Sequence, residues 1–175
     1  MKKFNLKTII GIVLIMTVSL KSHSQVSKVE IVATGLTCSM CSKSINNQLK
    51  TVPEVDSIAI NLNTNTFIIF PKKGNTINPG ILKERVEKAG FFVGSMIITI
   101  SFDNLKIENN FAIEKDGLSL IFVDTKTKIL NGKTKLKIVD KGFITQKEYK
   151  KNIKNLSKYP SDNMNHKEEY HLITI

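Results

Sequence analysis

The sequence predicts an α+β protein: a ferredoxin-like βαββαβ domain followed by a smaller, mostly β carboxy-terminal domain. Three observations lead there. Apolar residues at period two and at helical spacing succeed one another in the order β-α-β-β-α-β across residues 28–100. Helix punctuation falls between these stretches, with Pro53 after the first helical run, Asn78-Pro79 before the second and Gly90 after it. Beyond residue 100 the pattern changes to short alternating runs broken by Asn, Asp and Gly.

Each element has its own signal. Val29, Ile31 and Ala33 alternate as a strand, and Gly35 then opens a loop that holds both cysteines of the chain, Cys38 and Cys41. Ile45, Leu49 and Val52 follow at helical spacing, so a helix begins at or near Cys41 and ends before Pro53. Strands are predicted over 55–62 and 66–70, separated by Asn63-Thr64-Asn65. Asn78 as N-cap and Pro79 at the first helical position start a second helix, whose apolar face is Ile81, Leu82, Val86 and Ala89. Gly90 closes it, and a strand over 92–100 completes the unit. In the later part Leu105 and Ile107, then 118–123, then Leu136 and Ile138 read as short strands. A capping box at Thr145-Gln-Lys-Glu148 introduces one helix with Tyr149, Ile153 and Leu156 on a shared face, and 170–175 reads as a terminal strand.

The first residues belong to neither unit. Lys2, Lys3 and Lys7 precede an apolar run over 9–20, and Ser22 and Ser24 then supply small residues at the spacing of a signal-peptidase site, so cleavage before Gln25 is expected. The run falls short of the roughly 18 to 20 apolar residues that span a bilayer. The expected organisation is therefore a signal peptide at 1–24, the βαββαβ domain at 25–100 and a mostly β domain of unassigned role at 101–175, with no stable membrane span in the exported, periplasmic chain. Residues 1–24 hold four lysines and no acids, so subtracting four from the net +11 leaves +7. The remaining lysines are spread along the chain without an aromatic-interleaved cluster or a recognition helix, which argues against nucleic acid as a partner. The lysines near 147–154 read as a solvated helix face.

Two cysteines separated by two residues exclude a multi-disulfide framework, and no second CxxC or paired-His segment completes a tetrahedral zinc site. What remains is chemistry at one CxxC. On a loop that enters a helix, unpaired amides and the positive end of the helix dipole favour thiolate over thiol. Two intervening residues let both sulfurs address one ion, and soft thiolates prefer copper(I), with mercury(II) a further candidate. A thioredoxin-like oxidoreductase and a plain disulfide are the competing readings. No phosphate loop, nucleophile elbow or HExxH pair suggests an enzyme elsewhere.

The run Gly35-Leu36-Thr37-Cys38-Ser39-Met40-Cys41 between strand and helix, together with Lys88-Ala89-Gly90-Phe91, resembles the heavy-metal-associated domain family. That family includes copper chaperones, amino-terminal domains of copper-exporting ATPases and a periplasmic mercury-binding protein. The resemblance implies Cys38 and Cys41 as the metal ligands. It places Leu36 where the family usually buries a methionine under the loop, and Phe91 at an aromatic position near the metal where tyrosine is common. A thioredoxin-like CxxC, by contrast, lies after an earlier βαβ stretch and follows Trp, and this chain has no Trp.

Met40 is a thioether between the ligands, and Met164, His166 and His171 form a Met/His group that would serve as a second soft-metal site. The simpler expectations are an exposed loop residue for Met40, a polar loop for His166 and a strand position for His171. The function expected is an exported soft-metal-binding protein that delivers, scavenges or senses its ion with an envelope metal-transporting or metal-accepting protein as partner. An envelope adaptor is the alternative, and a thiol oxidoreductase the third reading.

Overall fold

The computed structural model describes residues 26–37, 39–156 and 169–175. The expected signal peptide and its cleavage site, Cys38, Met164 and His166 lie outside the described residues.

The alternation in the first strand comes out as β1 (Val26–Thr34), which buries Val29, Ile31 and Ala33 on one face. Helix α1 (Ser39–Leu49) follows, then β2 (Val55–Asn61) and β3 (Thr66–Pro71), helix α2 (Pro79–Lys88) and β4 (Phe92–Ile107). These pair antiparallel in the order β2-β3-β1-β4, which is the ferredoxin-like arrangement. Ile45 and Leu49 of α1 and Leu82 and Val86 of α2 are fully buried in the same core as Val29, Ile31, Phe67 and Ile69. Burying these side chains is what holds helices this short, since helices of about ten residues have little stability of their own in water.

Both ends of α2 are built as the sequence predicts. Asn78 Oδ1 accepts from Gly80 N at 2.8 Å, and Pro79 occupies the first turn. At the other end Gly90 N donates to Glu87 O at 2.8 Å and Phe91 N to Val86 O at 3.2 Å. That is a Schellman closure, and it needs the left-handed Gly90 at φ +89°.

Beyond residue 100 the structure departs from the expected two-unit layout. β4 does not stop at Ile100 but runs to Ile107, and along its outer side it pairs with β7 (Lys128–Ile138) from Met96↔Ile138 to Ile107↔Lys128. β5 (Phe111–Lys115), β6 (Leu118–Phe122) and β8 (Glu169–Thr174) extend the same sheet in the order β4-β7-β8-β6-β5, with β6 and β8 parallel and every other pair antiparallel. One buried cluster contains Ile31 and Leu82 from the first half together with Leu120, Leu136 and Leu172 from the second. The later strands are therefore joined to the ferredoxin-like unit through a shared strand and a shared core. Asp103 and Asn104 oppose a single residue of β7 in a bulge, where Asn104 sits at φ +46°, and this is why the alternation breaks at the place read as a boundary.

Helix α3 (Gln146–Leu156) lies on the opposite side of the sheet from α1 and α2. Tyr149 packs with Val123, Val139 and Ile144 in a second small cluster that also takes in Ile121 and Ile173. Thr145 Oγ1 accepts from Glu148 N at 3.3 Å as the N-cap, while the Glu148 carboxylate pairs with Lys137 of β7.

Beside the β4–β7 ladder, side chains of the second half also reach α2. Tyr170 of β8 donates its phenol proton to Asn78 Oδ1 at 2.7 Å and accepts from Gly80 N at 3.0 Å. Its ring meets Phe143 edge-to-face at 5.6 Å, and Lys83 of α2 lies 6.0 Å from the Phe143 ring centroid. Among the described residues no helix is long and apolar enough to cross a membrane.

Candidate metal centre

The loop that carries the CxxC is shaped by what flanks it. β1 ends at Thr34, whose hydroxyl donates to Phe92 O at 3.3 Å across the β1–β4 ladder. Gly35 turns the chain at φ +88°, a conformation that a side chain would strain. A Cβ built there would stand 3.8 Å from Phe91 Cδ1, so the Phe91 ring lies directly against the loop. Leu36 and Phe91 are both partly buried and packed on the core, while Thr37 is exposed. The loop thus rests on an apolar support made by Leu36 from within and Phe91 from the α2–β4 turn.

From this support the chain enters α1. The helix starts at Ser39, two residues earlier than the Cys41 start read from the sequence, which puts Cys41 in its first turn. Cys41 is half-buried, Met40 before it is 65% exposed, and Ser42 after it is buried. First-turn amides have no acceptor within the helix, and their partial positive charge favours an anion, so a thiolate at this place is stabilised by the backbone itself. Cys38, the other expected ligand, precedes the helix by one residue in sequence and lies outside the described residues. Among the described residues no group of three or more His, Cys, Asp or Glu comes together in a way that could hold a metal ion.

Of the second soft-metal group, only His171 is described. It stands in β8, 8% exposed, with its ring Nδ1 2.7 Å from Asp140 Oδ1, and its backbone N donates to Asp140 Oδ2 at 2.7 Å. Asp140 thus holds both the ring and the main chain of His171 and ties β8 to the end of β7.

Phe92 was not among the residues singled out by sequence. It pairs with Thr34 at the end of β1, beside the loop, and is 69% exposed. Like Met40, it is a large apolar side chain left exposed. The signal available was the pair Phe91-Phe92 at the start of a strand, where alternation sends one ring inward and the next outward.

Residues 31–92 match the heavy-metal-associated domain family. Among solved structures, the chain is similar to the yeast copper transporter domain Ccc2a, studied in apo and Cu(I) states, at 30% identity over 38% of this chain and 90% of that one, with a TM-score of 0.34. It is similar to a copper-binding domain from HMA7, a P-type ATPase, at 31% identity over 37% and 86%, TM-score 0.34. The amino-terminal domain of PacS from Synechocystis PCC6803 matches at 26% identity over 38% and 91%, TM-score 0.33. No curated protein matches the chain.

Proposed function

We propose, from the match of residues 31–92 to the heavy-metal-associated domain family, that this is an exported, non-enzymatic protein that binds one soft metal ion between Cys38 and Cys41. Copper(I) is the preferred ion, because two soft thiolates suit an ion that accepts near-linear coordination, and mercury(II) shares that preference. The ion is cargo, held for delivery, scavenging or sensing. The observation that carries the reading is the placement of Cys41 in the first turn of α1, reached through a loop propped on Leu36 and Phe91. A site on an exposed loop leaves one side of the ion open to a thiolate from an envelope metal-transporting or metal-accepting protein, so transfer proceeds by ligand exchange without release to water.

Export exposes the cysteine pair to oxidation, and a disulfide would remove both ligands at once. The test is titration against a competing copper(I) chelator with reduced protein, oxidised protein, Cys38→Ser and Cys41→Ser. Reduced wild type is expected to compete for one ion per chain. The other three are expected to lose most of their affinity, because a serine hydroxyl is hard and stays protonated. Undiminished binding in both serine variants would place the site elsewhere.

A further inference from the structure

We propose that β2 is a self-association edge, on which the β2 strand of a second copy of this chain pairs antiparallel about Ala59. β2 closes one end of the eight-stranded sheet and is paired with β3 on its inner side. The other outer strand of the ferredoxin-like unit, β4, is sealed by β7, so among the described residues β2 carries that unit's open row of N–H and C=O groups. Proteins usually blunt such an edge with lysine, proline or an inward charge. None of these stands within residues 57–61, and residues 51–71 contain no Lys or Arg, in a chain that has 26 of them. Three large apolar side chains are exposed in the same stretch: Ile60 at 37%, Leu62 at 59% and Phe70 at 38%.

Charge selects the occupant. Two copies that each carry net positive charge repel wherever lysines face one another, and the approach with least repulsion is through residues 51–71, whose only charges are Glu54 and Asp56. Asp56 lies in the register shift between Val55 and Ser57, which bends the start of the strand and confines new pairing to residues 57–61. A two-fold axis at Ala59 then sets Ile58 of each copy opposite Ile60 of the other, Ser57 opposite Asn61, and Ala59 opposite itself. Both isoleucine pairs fall on one face, and the contact is isologous, so it closes at two chains.

Sedimentation equilibrium of the full chain, at on the order of 100 µM, tests this. Wild type is expected to dimerise. Ala59 is exposed, so Ala59→Lys and Ala59→Glu are expected to fold, as circular dichroism can verify. Each alone is expected to raise the dissociation constant at least about tenfold, because like charges then meet on the axis, and mixing the two variants is expected to restore the dimer. A monomeric wild type, a dimer that persists in both single variants, or a mixture that stays monomeric would each overturn the proposal.

Discussion

Tyr170→Phe isolates the bond by which the last strand holds the second helix of the ferredoxin-like unit. Tyr170 is 3% exposed, so no water replaces its hydroxyl cheaply, and phenylalanine keeps the edge-to-face contact with Phe143. Two hydrogen bonds go, one to Asn78 Oδ1 and one from Gly80 N. Gly80 N retains Asn78 Oδ1 at 2.8 Å, so no amide is orphaned, and the loss is the net worth of the phenol's bonds, about 1–2 kcal/mol. For a chain of this length that lowers the thermal midpoint by roughly 2–8 °C. Asn78→Ala removes the same cap from the helix side, at about 1 kcal/mol or more. The double variant is expected to cost less than the sum of the two, because each single change already breaks the shared bond. Urea denaturation followed by far-ultraviolet circular dichroism supplies all the free energies. A Tyr170→Phe cost under about 0.3 kcal/mol, or additivity within that margin, would refute the coupling of β8 to α2.

Gly90→Ala is expected to destabilise the chain by about 1 kcal/mol, because Gly90 sits at φ +89° with open space around it, so backbone strain is the whole effect; denaturant midpoints measure it, and no change would mean the Schellman closure relaxes freely. A chain ending at Ile100 is expected to keep the βαββαβ unit and its metal binding at reduced stability, since it loses the β7 ladder and Tyr170; an unfolded product would show that the six elements cannot close a core alone. Amino-terminal sequencing of protein from the exporting cell is expected to begin at or within a few residues of Gln25, and an intact Met1 on soluble cytoplasmic protein would contradict export.

The ferredoxin-like half was legible because its signals are local. Ile45 and Leu49 stand one helical turn apart, Asn78-Pro79 and Gly90 mark both ends of α2, and Val29, Ile31 and Ala33 alternate without interruption. The second half hid where the physics is non-local or the pattern is locally broken. The bulge at Asp103-Asn104 shifts the inward positions from even to odd numbers, so one strand reads as two. β5 is only five residues long and is joined to β6 by Asp116-Gly117, a two-residue turn with both φ values positive, and it was read as part of a turn region. The candidate site divides along the same line. The CxxC and its supports are within one short run and one turn, whereas the Asp140 partner of His171 and the Asn78 partner of Tyr170 are set by strand order alone.

The same strand order decides what surrounds the CxxC loop. The later half reaches β4 only as far as Ser95, which bridges to Ile144, and leaves Phe92 exposed at the loop end. It grips α2 at Asn78 and Gly80, the helix end remote from Phe91. The ten residues of α2 span about 15 Å, so these bonds lie a helix length from the Gly90-Phe91 turn. The added strands therefore reach the start of α2, while Met40 and Phe92 stay exposed among the described residues.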